Sequence, residues 1–307
     1  MISTDYMVID PPFRDPLARA TLDNVGAVLR CEGDRLAAWS RTTDTIFYRL
    51  PGSETGVFIK RYHYPRWKQR IEGMMRGTFF KNTRARNEYR VLSLMRRLGI
   101  QAVRPIAFGE RRVLHFCRSC FLITEAVPGA MSLVAFIRTF SRHPRSARAR
   151  HVKLEILTSL AQQVRHMHEA GFVHRDLFWR NVLIRPMPDE RFEFYFLDAS
   201  VGRRIRIPQR RQDSIVHDIA AMGVLGPEFC SKADQLRFLL VYLDTPRLSP
   251  DDRLWLRRVQ ARSDRFRKTE LLRLERGGVF DPPIRDFDLP GDASIRHGRS
   301  STSIAKS

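Results

Sequence analysis

The stretch from Leu154 to Asp198 constrains the fold more than any other part of the chain. Leu154, Leu157, Ala161, Val164 and Met167 make an apolar stripe with the period of a helix, and Gly171 ends it. HRDLFWRNVLI follows at once at 174–184, and a short hairpin then runs through the apolar FYFL to Asp198. Upstream, Thr45 to Leu50 and Val57 to Tyr62 flank the turn residues Pro51 and Gly52, which predicts one hairpin; a second is predicted from Arg112 to Val127. Between them the pattern predicts a helix over Arg84 to Leu98, with Glu88, Leu92 and Met95 on one face and Gly99 as its stop. Downstream, helices are predicted through Asp218 to Leu225 and Ala233 to Leu243, and a third opens at Ser249-Pro250-Asp251-Asp252. That quartet has an N-cap serine, a proline at the first helical position and an acid three residues after the cap.

The expected fold class is therefore α+β in two lobes. The expected divisions are an N-terminal extension over 1–24, a strand-rich lobe over 25–127, a helical lobe over 128–284 and a flexible basic tail over 285–307. A chain of 307 residues suits such a unit around a cleft, and its 43% apolar content argues against disorder. No apolar run approaches the ~18 residues of a spanning helix, and residues 1–30 lack the pattern of a secretory signal, so a soluble, cytoplasmic protein is expected. Four cysteines are too few for a disulfide framework, and Cys117 and Cys120 read as hairpin residues rather than a metal or redox pair.

Charge narrows the partners. Lys and Arg number 54 against 33 Asp and Glu, a net +21, which favours anions such as lipid headgroups, phosphorylated sugars or nucleic acid. Screening restricts that attraction to about 10 Å at 0.1 M salt.

A strand-rich first lobe, a helical second lobe and a polar loop after the second lobe's first long helix resemble the protein-kinase-like plan. Phosphoryl transfer needs an oriented nucleophile, neutralised phosphate charge and a held metal. Asp176 and Asn181 have the spacing of H-R-D-x-x-x-x-N, in which Asp accepts the proton of the attacking hydroxyl and Asn ligates Mg²⁺. Asp198 stands where the metal-binding Asp of the DFG motif belongs, although Ala199 and Ser200 replace Phe and Gly. Lys60 closes VFIK as the strand lysine that holds the nucleotide phosphates, and Glu88 is its expected helix partner in preference to Glu54 or Glu72. His174 is expected to orient the backbone, and Asp218 in VHDIAAM to brace the loop from below. Arg180 matches the Arg of the tyrosine-kinase loop HRDLAARN and is expected to neutralise the γ-phosphate. Without a GxGxxG loop, Ser40, Thr42 and Thr43 are expected to approach the phosphates.

Between Asp198 and Asp218 the chain is short, basic and devoid of an APE-like motif, so no peptide-docking segment is expected. VFIKRYHYPRW, NEYRVLSLMRRLGI with RPIAFGERR after it, HRDLFWRNVLI, FLDAS, HDIAAMGVL and QLRFLLVYL together resemble the lipopolysaccharide core kinases, the Kdo/WaaP family, over Val57 to Leu243. That resemblance implies ATP and Mg²⁺ as cofactors. It also implies a Kdo or heptose hydroxyl of an anionic glycolipid as acceptor, at the cytoplasmic face of the inner membrane. Arg66, Lys68 and Arg70, interleaved with Tyr62, Tyr64 and Trp67, are the expected peripheral contact with that glycolipid or membrane. Two other readings stay open. One is a protein kinase, possibly tyrosine-directed; the other is a non-catalytic adaptor for nucleic acid or membrane built on a kinase fold, although no obligatory nucleic acid is expected. A cationic aminoglycoside acceptor fits poorly, because this surface would repel it.

Overall fold

The computed structural model describes residues 3–40, 42–52, 56–64, 83–113, 116–140 and 147–276. A six-stranded antiparallel sheet dominates the first half. Its strands are β1 (Ser3–Ile9), β2 (Arg35–Ser40), β3 (Thr43–Arg49), β4 (Gly56–His63), β5 (Pro105–Val113) and β6 (Phe116–Glu125), in the spatial order β1-β5-β6-β4-β3-β2. The first predicted hairpin is present as β3–β4; the second, expected over Arg112 to Val127, is β5–β6 and begins at Pro105, most of the expected stretch being the single strand β6. The stretch expected as an N-terminal extension is built into this lobe. β1 pairs with β5 from Ser3 opposite Val113 to Ile9 opposite Ala107. Helices α1 (Arg14–Arg19) and α2 (Val25–Arg30) cover one sheet face.

Alternation along the strands sorts side chains between two cores. Val57 and Ile59 of β4, with Phe121 and Ile123 of β6, pack against Leu17 and Val28. Tyr62, Cys120 and Leu122 face the other way, onto helix α3 (Arg84–Arg97), where Leu92 and Met95 are buried. Lys60 shares parity with Tyr62 and is thereby aimed at the same helix. Gly109 in β5 exists for the first core: a Cβ there would lie 2.4 Å from the Phe121 ring, which is fully buried. Gly109→Ala is expected to cost about 1–3 kcal/mol through overpacking, read as a lower urea midpoint at unchanged slope.

The second half is helical. Helices α4 (Leu133–Phe140) and α5 (Ala147–Glu169) lead to the short strand β8 (Phe172–Val173), after β7 (Met131–Ser132). The buried stripe of α5 is Val152, Ile156, Leu160, Val164 and Met167; Leu154 and Leu157 of the predicted stripe are only half-buried. Strands β9 (Val182–Pro186) and β10 (Phe192–Phe196) form the predicted hairpin, and β11 (Arg203–Arg204) pairs with β8. Then come α6 (Pro208–Gly223), α7 (Gly226–Phe229), α8 (Lys232–Leu243) and α9 (Pro250–Arg276). Helix α6 begins ten residues before the predicted start, because its polar, exposed first turns carry no apolar period. Ser231 and Asp234 cap α8 reciprocally, and the Ser249 hydroxyl accepts the Asp252 amide 3.1 Å away at the start of α9. The 285–307 tail lies outside the described residues. No helix among them is long and apolar enough to cross a membrane.

Candidate active site

The strand lysine, the helix acid and the acid after β10 converge. Lys60 Nζ lies 3.2 Å from Glu88 Oε2 and 2.9 Å from Asp198 Oδ1. One ammonium shared by two carboxylates sets an order between them. Burial works against the charge on Lys60, yet Asp198 and Glu88 together raise it well above its ordinary value, so the lysine is firmly cationic. Burial also pushes both acids up. At Asp198 the charge and hydrogen bond of Lys60 overcome it and hold the carboxyl low; at Glu88 burial prevails and the carboxyl is raised. Asp198 is thus the stronger acid of the pair. Tyr62, which shares the Lys60 face of β4, donates its hydroxyl to Glu88 Oε2 at 2.6 Å and fixes the raised acid in place.

The loop after β8 supplies the other wall. Asn181 Nδ2 donates to the Asp176 carbonyl at 2.8 Å and to Asp176 Oδ2 at 2.9 Å, while Arg180 Nη2 donates to Asp176 Oδ1 at 2.8 Å. Both carboxylate oxygens of Asp176 are held, so its orientation is set before any ligand arrives. Arg180 stacks over Phe178 at 4.4 Å and also donates to Glu270 Oε1 of α9.

Asp218 organises this loop from beneath. Its two oxygens accept the backbone amides of His174 and Arg175, each at 2.7 Å, and His168 Nε2 lies 3.3 Å from Oδ2. Arg175 consequently sits at φ 63, a left-handed conformation that a non-glycine residue holds only when its surroundings demand it. Burial pushes the Asp218 carboxyl up, but the hydrogen bond from His168 and the nearness of His217, whose Nδ1 lies 3.8 Å from Oδ1, bring it well below the ordinary carboxylate range. His174 is fully buried, and burial lowers it despite the acids around it, so the imidazole is neutral. The Leu197 carbonyl lies 3.1 Å from its Nε2, which assigns the proton to that nitrogen. His174 thereby links the loop to the residue before Asp198.

Ala199 is buried in the core and Asp198 adopts φ 53, so the backbone turns sharply at the acid. The Ser200 carbonyl accepts the Asn87 side-chain amide of α3, tying Glu88's helix to the Asp198 stretch. The Ser40, Thr42 and Thr43 positions form the β2–β3 turn. Thr43 pairs with Tyr62 across the sheet, which sets this turn at the Lys60 end of β4. Arg66, Lys68, Arg70, Glu54 and Glu72 lie outside the described residues.

Sequence reasoning missed three contributors. Tyr62 was signalled by its strand parity with Lys60, and Asn87 by its place beside Glu88. Nothing local marks Glu270, one acid among the many charges of α9, yet it is 3% exposed and holds Arg180. Glu270→Gln is expected to lower turnover about tenfold with the KM for nucleotide unchanged, and to cost about 2 kcal/mol of stability for the weakened charged hydrogen bond. Steady-state kinetics beside urea unfolding separates the two.

The oxygen donors suit a hard divalent cation, which takes one or two protein ligands and leaves the remainder to phosphate and water. Asp198 supplies a carboxylate held in its ionised form. Asn181 spends its amide nitrogen on Asp176, and among the described residues no donor reaches its amide oxygen.

Two curated relatives are lipopolysaccharide core heptose(I) kinases, both WaaP. The one from Escherichia coli is 27% identical over 173 residues, which is 53% of this chain and 61% of that protein. The one from Pseudomonas aeruginosa is 24% identical over 196 residues, 62% of this chain and 70% of that protein. The chain thus matches about three fifths of the Escherichia coli relative's length. Among solved structures, that of WaaP in complex with acyl carrier protein superposes with a TM-score of 0.61 at 20% identity, covering 85% of this chain and 98% of that one. This likeness shows the protein-kinase-like, two-lobed fold. The profile of the lipopolysaccharide kinase (Kdo/WaaP) family matches residues 32–242, from the second strand of the sheet to the end of α8, and the chain belongs to that family.

Proposed function

We propose that this chain is an ATP-dependent kinase that transfers a phosphoryl group to a sugar hydroxyl, on Kdo or heptose, of the lipopolysaccharide core. The observation that carries this reading is the joint engagement of Lys60 by Glu88 and Asp198 opposite an Asp176 carboxylate fixed by Asn181 and Arg180. An adaptor has no use for that constellation. The names of the curated relatives favour heptose over Kdo.

In this reading Lys60 holds the nucleotide phosphates, and the Ser40, Thr42 and Thr43 turn covers them. Asp198 and Asn181 would hold Mg²⁺, which when bound neutralises phosphate charge. Asp176 accepts the proton of the sugar hydroxyl as it attacks, and Arg180 keeps a positive charge beside it. His174 and Asp218 support the loop. The acceptor is an anionic glycolipid met at the cytoplasmic face of the membrane, with Arg66, Lys68 and Arg70 as a salt-sensitive peripheral contact. The test is transfer of labelled phosphate from Mg·ATP to extracted core glycolipid beside general protein substrates. Transfer to protein alone supports a protein kinase instead. A chain that gains no thermal stability from Mg·ATP but shifts RNA in a salt-sensitive gel is an adaptor.

A further inference from the structure

Helix α3 and the stretch after Asp198 also form the walls of a second cavity, of about 710 Å³, beside the cleft rather than in it. Its lining includes Arg90 and Arg97, two turns apart on one face of α3, and Arg203 and Arg204 of β11. Among the described residues no carboxylate lines it. The four side chains are exposed, and none of them has an ion pair or hydrogen bond with another described residue. Several arginines elsewhere are paired with acids, Arg61 with Asp44, Arg104 with Asp10, Arg111 with Asp5 and Arg185 with Glu193. Four like charges left to converge repel one another until an anion arrives.

The walls are not floppy supports. The backbone of Arg203 and Arg204 is pinned by pairing with Val173 and Phe172, and Gly202 packs so closely that a Cβ would lie 2.7 Å from the Phe172 ring. At the groove's edge the Asn87 amide donates to the Ser200 carbonyl, two residues beyond Asp198. Guanidinium forks match phosphate oxygens in pairs, where lysine would act as a point charge. A groove confined to one face of α3 and the two residues of β11 fits one headgroup better than the extended track that a nucleic-acid backbone follows.

We propose that this groove is an anion site for a phosphate or pyrophosphate group and, resting on the kinase reading above, that it grips a phosphate already carried by the glycolipid acceptor. The groove then holds the acceptor beside the cleft while its hydroxyl is presented to Asp176.

Calorimetric titration of the full chain with inorganic pyrophosphate tests the site, using the double variant Arg90→Ser/Arg204→Ser and, as a cleft control, Lys60→Met. The expected result is affinity weakened about tenfold or more in the double variant and retained in Lys60→Met, with unchanged circular dichroism for both. Equal binding in all three, or a loss confined to Lys60→Met, overturns the site, as does tighter binding of single-stranded RNA than of pyrophosphate. A second measurement addresses the ligand's source. Phosphatase treatment of the glycolipid is expected to raise its KM about tenfold for the unaltered chain, but not for the double variant, with turnover and the KM for ATP preserved. Pyrophosphate binding without that KM effect assigns the groove to free anion and overturns its acceptor role. If no glycolipid is phosphorylated at all, the kinase reading fails, and the pyrophosphate titration still decides the groove.

Discussion

Asp176→Ala is expected to lower turnover about 10²–10⁴-fold, the usual contribution of a positioned general base, while nucleotide affinity stays within about threefold. The geometry gives both halves of that expectation. Asp176 is held by Asn181 and Arg180 on the loop side of the cleft, whereas the groups assigned to the phosphates, Lys60 and Asp198, pair with each other on the opposite side. Truncation at Asp176 removes the proton acceptor without disturbing the lysine. It also frees Arg180, which keeps Glu270 as partner and so remains anchored. Single-turnover transfer and nucleotide titration on one preparation provide the check. An equal loss of nucleotide binding and turnover would place Asp176 in phosphate binding instead.

The second large effect concerns stability. Asp218→Asn is expected to cost about 3–5 kcal/mol, the penalty for breaking a fully buried charge out of its network. Two backbone amides and His168 point at that carboxylate, and an amide in its place turns an NH₂ toward one of those donors. The sign of the pH dependence follows from the lowered folded value. A depressed carboxyl contributes stability in full above its unfolded value of about 3.9 and loses it as the pH falls toward the folded value. Below about pH 4 the parent chain should therefore lose stability with acid more steeply than Asp218→Asn, and the two curves should converge. Urea midpoints from pH 6 to pH 3 test this, and parallel curves would assign the acid limb to other carboxylates. Arg175 gives a second readout, because its left-handed backbone has no support once Asp218 stops accepting its amide.

How much of this was legible depended on whether a residue's partner lay within its own pattern. Lys60 and Glu88 were readable because a strand of alternating parity and a helix with a buried stripe leave few ways to face each other. Asp176 and Asn181 were readable because five residues of loop hold both ends of their contact. β1 was not: its short run has only a partial alternation, and its partner β5 lies about a hundred residues away. The early turns of α6 were hidden by their polarity. The apolar cavity of about 450 Å³ lined by Leu160, Trp179, Ile219, Phe238 and Val259 was equally hidden, since its walls come from helices and a loop that no single pattern joins. The departure at Ala199 and Ser200 was visible, but its structural meaning, a buried small residue and a carbonyl given to Asn87, needed the neighbouring helix.

Glu270 bears on how the candidate site comes into being. The loop around Asp176 closes through Asp218, some forty residues downstream, and is finished by an acid ninety residues from Arg180. During synthesis from the N-terminus, the sheet, α5 and the loop itself emerge long before either partner does. Contacts of such sequence separation form late, after their loop-closure entropy has been met. A nascent chain therefore displays Lys60, Asp176 and Asp198 in full while its loop is still unset, and acquires a finished Asp176–Arg180 pair only when α9 has left the ribosome and docked on α6. Competence in that sense waits on the emergence of α9.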